Sequence, residues 1–218
     1  MPRLREVPRS EASPEALATY QRMFGDRDPV AEPGTATGTP GNWWTVISLV
    51  PDVLTYFQQG GALYKGKNRI IPSYFVELAL VRIGFSAGSQ FVFSQHCKGA
   101  RAAGISEAKV DAIPHWSVTD LFDEPERAVL AYTDELVLSH GRVQDGTFDV
   151  LKKHFSDEAI LELTYISLLY MSYAIFTRAL RLEYDDIPER VVEIPVPGDE
   201  GGAKVDIMSQ MSGDPVKS

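Results

Sequence analysis

Residues 77–104, ELALVRIGFSAGSQFVFSQHCKGARAAG, carry the pattern on which the fold prediction depends. The pattern predicts two short helices joined by a Ser-Ala-Gly turn, with Glu77 on the first helix. On the second helix, Ser89, Val92 and His96 fall at about 0°, 300° and 340° around an axis with 3.6 residues per turn. The three side chains therefore share one narrow face, and whatever lies opposite that face lies opposite His96.

Length and composition favour one soluble domain. The chain has 218 residues, 44% of them hydrophobic and 23% charged, which is enough to bury a full core. The net charge of −9 argues against a nucleic-acid partner, because no basic surface is left to neutralise phosphates. Cys97 is the only cysteine, and residues 1–10 contain no apolar segment typical of a secretory signal. We therefore expect a cytoplasmic location.

Helix start signals recur along the chain, and no segment of residues 1–187 shows the alternating polarity of a β-strand. Ser106, Asp123 and Ser156 each precede an apolar periodic segment, where their side chains can accept hydrogen bonds from the first helical turn. The sequence therefore predicts an all-α domain over residues 1–187.

The last segment, residues 188–218, is rich in proline, glycine and acidic residues and poor in large apolar ones. A segment of this composition has no core of its own. We predict an extended tail or arm held by a neighbouring subunit, and the residues expected to contact that subunit are Val191, Val192, Ile194 and Val196.

The longest apolar segment spans residues 161–182. Glu162, Arg178, Arg181 and several hydroxyl side chains interrupt it, and charged groups are costly inside a lipid bilayer. The segment therefore predicts a core helix, and we expect no membrane partner.

Two other features receive no catalytic role. Trp43 and Trp44 are interpreted as core or subunit-contact aromatics, since large apolar side chains usually serve packing. The basic cluster KGKNR at residues 65–69 is interpreted as a solvated loop. Its alternative role is a gate that attracts an anionic substrate.

The spacing Glu77-x11-Ser89-x2-Val92-x3-His96, followed by ARAAGISE at residues 100–107, resembles the carboxymuconolactone decarboxylase and alkylhydroperoxidase-D-like family. In the peroxidase branch of that family the same frame is Glu-x11-Cys-x2-Cys-x3-His. The resemblance implies a helical alkylhydroperoxidase-D-like bundle that assembles as a trimer or hexamer, with its site in a cleft near subunit contacts. It also implies that Glu77 and His96 form the proton-handling pair.

Ser89 and Val92 stand at the two positions that are cysteines in the peroxidase branch. A thiolate attacks the peroxide there and a second thiol resolves the product, which neither a hydroxyl nor an isopropyl group can do. Thiol-dependent reduction of hydroperoxides is therefore excluded at these positions. Cys97 lies about 80° from Ser89 on the helix and lacks a resolving partner, so we interpret it as a small buried apolar residue.

The remaining branch of the family needs proton transfer and no sulfur. We therefore predict an enzyme, a cofactor-independent, decarboxylase-like lyase or isomerase that acts on a small carboxylate or lactone, in the degradation of aromatic compounds. His96 is the predicted general acid or base, and Glu77 orients it or relays its proton. Ser89 is predicted to hydrogen-bond the substrate or His96, with capping of the second helix as an equal alternative.

Four further residues are candidates for substrate binding. Arg178, in the last apolar helix, is the preferred ligand for a substrate carboxylate, because a buried arginine needs a partner. Arg82 could reach a substrate across a subunit interface, with a surface ion pair as the alternative. Val92 and Phe93 are expected to line the pocket. No metal or cofactor is predicted, because Glu77 and His96 are too few ligands for a usual zinc site.

Two hypotheses from other functional classes stay open. One is a redox protein that keeps the fold and uses Cys97. The other is a non-catalytic binding or assembly protein, in which Glu77 and His96 form a buried hydrogen bond that only satisfies two helices.

Overall fold

The computed structural model describes residues 1–185, and in this range the chain forms helices and no β-strand. The α-helices are α1 (Pro14–Phe24), α2 (Asn42–Ile47), α3 (Pro51–Gly60), α4 (Ala62–Lys65), α5 (Ser73–Ser86), α6 (Gln90–Ala102), α7 (Glu107–Ala112), α8 (Glu124–Val137), α9 (Asp145–His154) and α10 (Asp157–Leu180). Two 3-10 helices, Arg9–Glu11 and Ile113–Val118, complete the set. The all-α prediction is confirmed, whereas the boundary near residue 187 and the tail with Val191, Val192, Ile194 and Val196 lie outside the described residues.

Helix α5 lies at the centre of the fold and packs against α6, α8 and α10. Every residue from Val76 to Gly84 is buried, as expected for a helix that is covered on all sides. The guanidinium of Arg82 binds the carboxylate of Asp134 on α8 through two hydrogen bonds, Nε to Oδ1 at 2.6 Å and Nη2 to Oδ2 at 3.0 Å. This partly buried pair joins α5 to α8.

Helices α5 and α6 approach each other closely because Gly84 has no side chain. A Cβ atom on residue 84 would lie 2.5 Å from the backbone nitrogen of Phe93. The connection between the two helices turns at Gly88, whose φ of +64° falls in the region that favours glycine. These two glycines place the facing sides of α5 and α6 in direct contact.

The predicted helix starts are present. Ser106 and Ser156 accept hydrogen bonds from the backbone of the first turn of α7 and α10, respectively. Asp123 and Glu126 form a reciprocal capping box at the start of α8, in which each side chain accepts from the backbone N–H of the other residue. Local sequence signals therefore set these boundaries.

Helix α10 is a core helix on one side only. By length and composition it could also cross a membrane, and 39% of its most apolar window is buried. Its outward side exposes Leu161, Tyr165, Leu168 and Ile175, at 70%, 45%, 48% and 55%. These four residues, the outer stripe, recur at intervals of four, three and seven, so they share one face of the helix. The prediction of a core helix describes only the opposite face.

The close approach of α5 and α6 predicts that Gly84→Ala destabilises the fold. The added methyl group meets the backbone of Phe93, which cannot move aside as a side-chain tip could, so we expect a loss of roughly 1–3 kcal/mol in the free energy of unfolding. Urea denaturation followed by circular dichroism measures this loss. The matched control is Gly146→Ala on α9, where an added Cβ meets nothing within 4 Å and helix propensity favours alanine by up to about 1 kcal/mol. Equal stability of the two variants would contradict the close helix contact.

Candidate active site

Glu77 on α5 and His96 on α6 meet inside the protein. The Oε2 atom of Glu77 lies 2.9 Å from Nδ1 of His96, and the two residues are only 4% and 3% exposed. The hydroxyl of Tyr64 donates to the other carboxylate oxygen, Oε1, at 2.7 Å. Because an ionised carboxylate only accepts hydrogen bonds, Nδ1 carries the proton and Nε2 is left as a proton acceptor. Nε2 has no hydrogen-bond partner among residues 1–185.

The position of the Glu77 carboxylate depends on a glycine of α6. Gly99 follows His96 by three residues and therefore shares its helix face. A Cβ on residue 99 would lie 2.5 Å from Oε2 and 2.7 Å from Cδ of Glu77. The carboxylate thus occupies space that any other residue at position 99 would fill.

Two tyrosines enclose the Glu77–His96 pair. The ring of Tyr170 on α10 meets His96 edge to face, with 4.6 Å between ring centroids, and lies 4.9 Å from the ring of Tyr64. Burial, and then the nearby Glu77 charge, raise the pKa of both phenols well above the usual value. Both hydroxyls therefore stay protonated at neutral pH and act as hydrogen-bond donors.

His96 faces a small cavity of about 90 Å³, the front cavity. Its walls are mostly aromatic and apolar, and they include Trp43, Trp44, Phe91, Val92, Tyr170 and Tyr173. Its polar groups come from Thr37, Thr39, Gln95 and Glu183. No lysine or arginine of the described chain lines it. Trp43 and Trp44, interpreted from the sequence as packing residues, therefore belong to the cavity wall as well as to the core.

A second cavity of about 370 Å³, the back cavity, reaches Glu77 and not His96. Its lining includes Lys65, Lys67 and Arg69 from the basic cluster, together with Tyr64, Ser73 and Gly99. The Glu77–His96 pair thus lies between an aromatic cavity on the histidine side and a basic cavity on the carboxylate side. The basic cluster, interpreted from the sequence as a solvated loop, therefore also forms part of a cavity wall.

Residues 51–135 match the family model described as Carboxymuconolactone decarboxylase family. This range contains the complete Glu77-to-His96 frame and the back cavity. Over this range the chain is similar to the carboxymuconolactone decarboxylase family. No curated protein matches it significantly in sequence.

Solved structures share the helical fold of this chain. One is a protein of unknown function from Agrobacterium tumefaciens, proposed to be an antioxidant defence protein AhpD, with 22% identity and a TM-score of 0.54 over 66% of this chain and 94% of the other. Another is the debrominase Bmp8 without ligand, with 18% identity and a TM-score of 0.59 over 81% and 89%. A cysteine-to-alanine variant of Bmp8 in complex with 2,3,4-tribromopyrrole gives 19% identity and a TM-score of 0.54 over 78% and 83%. At these identities the likeness shows the fold alone.

Of the family frame, Val92 and His96 line the front cavity, and Glu77 contacts His96 from the side of the back cavity. Ser89 lies at the N-cap of α6, where its Oγ accepts a hydrogen bond from the backbone N–H of Val92 at 3.2 Å. Its hydroxyl donates to Asp185 at 2.9 Å, and no hydrogen bond joins it to His96 within the described range. The capping alternative describes its position, which corrects the predicted contact with His96.

Three other predicted binding residues lie outside the front cavity. Phe93 packs in the core between α5 and α6. The guanidinium of Arg82 is held by Asp134 and by the backbone carbonyls of residues 113 and 114. Arg178 is exposed and donates to the backbone carbonyl of Gly88. Both arginines therefore make helix contacts in this structure and neither lines the front cavity, and their role as substrate ligands stays a prediction.

Cys97 is 1% exposed and belongs to the main core cluster. It lines neither the front nor the back cavity. No group of three or more histidine, cysteine, aspartate or glutamate residues within residues 1–185 is arranged to hold a metal ion.

A carboxylate that the sequence reasoning missed, Glu183, lines the front cavity from the turn after α10. Its Oε2 accepts from the backbone N–H of Gly41 at 2.9 Å and its Oε1 from that of Trp43 at 2.7 Å. Two residues later, Asp185 accepts from the backbone N–H of Phe91 at 3.1 Å. The turn therefore holds the starts of α2 and α6, and no local motif around Glu183 indicates this.

Burial raises the pKa of Glu183 to about 7, since the two backbone donors offset only part of the lost hydration and the Asp185 charge adds to the rise. Between pH 4.5 and about pH 7, Glu183 therefore keeps its proton in the folded protein. In the unfolded chain, where the carboxyl group has its ordinary pKa of 4.5, the same proton has dissociated. A raised carboxyl pKa means that stability is greatest below the unfolded value and is lost as the pH rises through about 7.

We predict that Glu183→Gln reduces the pH dependence of stability. In the parent protein, Glu183 lowers the free energy of unfolding by roughly 1–3 kcal/mol between about pH 5 and about pH 8. The amide removes this part of the loss, although it also replaces one acceptor of the two backbone N–H groups. Urea titrations at the two pH values measure the difference for each protein. Glu32→Gln, an exposed carboxylate, is the matched control, and an unchanged pH dependence in Glu183→Gln would contradict the assignment.

Proposed function

We propose that this protein is a cofactor-independent lyase or isomerase of the carboxymuconolactone decarboxylase family that moves a proton to or from a carbon atom of a small, uncharged ring compound such as a lactone. The observation that supports this proposal is the Glu77–His96 hydrogen bond of 2.9 Å at the wall of an aromatic cavity. An imidazole with one nitrogen held by a carboxylate and the other facing a cavity is suited to general acid–base catalysis.

The charges of the front cavity favour a neutral substrate over a carboxylate. A carboxylate in this cavity would be buried without any lysine or arginine from the described chain, and an unpaired buried charge is costly. The hydroxyls of Thr37 and Thr39 and the amide of Gln95 can instead bind the carbonyl group of a lactone, while the aromatic walls cover its ring. The debrominase complex with 2,3,4-tribromopyrrole shows a single substituted ring bound to a protein of this fold.

The proposed reaction begins with Nε2 of His96 taking a proton from the carbon next to the substrate carbonyl. The carboxylate of Glu77 stabilises the imidazolium that forms, because its Oε2 accepts from Nδ1. Tyr170 lines the same cavity and its phenol stays protonated, so we propose that it donates to the negative charge that develops on the carbonyl oxygen. The imidazolium then returns a proton to carbon, at the same position or another.

The redox hypothesis has no support from the geometry, since Cys97 lies in the core away from both cavities. The hypothesis of a non-catalytic binding or assembly protein stays open, and the activity test below distinguishes it from the proposed enzyme. A cytoplasmic location and a role in the degradation of aromatic compounds also stay predictions.

The proposal predicts that His96→Asn abolishes proton transfer. Small lactones and ring carboxylates are incubated with the protein in D2O, and deuterium incorporation or turnover is followed by NMR. For a substrate found in this way, we expect His96→Asn to lower the rate by roughly 10²- to 10⁴-fold and Glu77→Gln to lower it less, because the amide keeps one acceptor. His154→Asn, on the surface end of α9, is the matched control. Unchanged turnover in a folded His96→Asn variant would reject the proposal.

We also propose that the chain forms homo-oligomers, trimers or hexamers, through the outer stripe of α10. Exposed apolar side chains that share one helix face lose contact with water when a second helix covers them. Leu161, Tyr165, Leu168 and Ile175 form such a face. A copy of the same chain offers a matching apolar surface.

The assembly proposal predicts that Leu168→Glu shifts the protein to a smaller species, since a buried carboxylate in the contact would lack a partner. Light scattering after size-exclusion chromatography measures the mass. The matched control is Leu138→Glu, because Leu138 is similarly exposed at 55% but lies at the end of α8. A monomeric parent protein, or an equal response of both variants, would contradict the proposal.

A further inference from the structure

The back cavity collects positive charge without any matching carboxylate of the described chain at its rim. Lys65, Lys67 and Arg69 all line it, and none of them forms an ion pair with residues 1–185. The whole chain has 30 acidic and 21 basic residues, so the excess of cations around this cavity is not a result of composition.

The loop that carries these cations is held in place. Arg69 donates to the backbone carbonyls of Tyr64 and Ile71 and to the hydroxyl of Ser73. The carboxylate of Glu162 on α10 accepts from the backbone N–H groups of residues 70 and 71, at 2.7 Å and 2.9 Å. Arg69 is thus fixed in the wall and supplies charge, whereas the ammonium groups of Lys65 and Lys67 form no hydrogen bond within the described chain.

Lys65 is half-buried in this wall. Burial, with a smaller contribution from the positive charge of Arg22, lowers the pKa of Lys65 to about 8. A bound anion would compensate for the hydration that this ammonium group has lost.

The floor of the back cavity carries the only carboxylate in its lining, Glu77. Both oxygens of Glu77 are already engaged, by Tyr64 and by His96, so the three rim cations outnumber one paired negative charge. Ala102 and Ala103 add apolar side chains to the remaining wall. A cationic rim beside an apolar wall fits a small organic carboxylate better than inorganic phosphate.

We propose that the back cavity is a binding site for a small carboxylate, held by the ammonium groups of Lys65 and Lys67 and the hydroxyl of Ser73. The carboxylate bound there adds negative charge close to Glu77 and thereby favours the imidazolium form of His96. Binding at this site does not depend on the proposed function. Only its effect does, since a carboxylate in the back cavity would then set the acid or base form of the catalytic histidine. The front cavity therefore binds an uncharged ring compound, and the back cavity binds an anion.

The test uses sodium benzoate and sodium acetate as probes on the parent protein without substrate, at constant ionic strength set with sodium chloride. Two-dimensional NMR follows the amide signals of Gly66 and Gly99, which line the back cavity. We expect saturable shifts with the carboxylates and movement of the His96 ring nitrogen signals toward those of imidazolium. Inorganic phosphate is the third titrant, and saturation by phosphate alone would overturn the assignment to a carboxylate.

The double variant Lys65→Met/Lys67→Met is expected to weaken carboxylate binding at least tenfold. Its matched control is Lys152→Met/Lys153→Met, which removes the same charge from the exposed surface of α9. An equal loss in both double variants would show a general charge effect and overturn the site, as would the absence of saturation in the parent protein. Carboxylate binding that persists while no substrate is ever turned over would reject the proposed catalytic function and leave this site established.

Discussion

The hydrogen bond between Glu77 and His96 is the interaction on which the interior of this protein depends. It joins α5 to α6 at a depth where both side chains are almost fully buried, and an unpaired charge there would be costly. The space for it is made by missing side chains. Gly84 lets the two helices meet, and Gly99 leaves room for the carboxylate. The polar pair therefore depends on both glycines, on Gly84 for the close approach of the helices and on Gly99 for the space that the carboxylate occupies.

The surroundings of this pair differ on its two sides, and the difference has chemical consequences. On the side of His96, aromatic walls and the absence of described cations lower the local polarity, which strengthens hydrogen bonds and penalises unpaired charge. On the side of Glu77, lysine and arginine side chains surround a larger cavity. The pair therefore separates an environment that disfavours charge from one that contains three cationic side chains. This asymmetry is what a sealed, purely structural Glu–His hydrogen bond would lack.

The sequence was sufficient for features that depend on neighbouring residues. Helix caps at Ser106, Asp123 and Ser156 use side chains that bond within one turn, and the Glu77-to-His96 spacing places two groups on facing helices. Features built from distant segments could not be predicted. Glu183 shows no local signal, because its role depends on the backbone of residues 41 and 43.

The partners of the two arginines Arg82 and Arg178 also could not be predicted from the sequence. A cation within an apolar helix indicates that it needs a partner, and the pattern alone cannot say which one. Arg82 binds the carboxylate of Asp134, fifty-two positions further along the chain. Arg178 donates to a backbone carbonyl at the end of the turn between α5 and α6. The rule that buried charges are paired was correct, while the inference that the partner would be a substrate did not follow from it.

The family match divides the site into an inherited and an individual part. Residues 51–135 contain both members of the Glu77–His96 pair and the whole described lining of the back cavity. Most of the front cavity comes from outside that range, from residues 23 to 44 and from residues 170 to 183. The Glu77–His96 pair and the back cavity therefore lie within the matched range, whereas most of the front cavity is built by segments that the family model does not cover. The family likeness thus concerns the Glu77–His96 pair, and the residues that distinguish the front cavity lie in its aromatic walls and in the turn at Glu183.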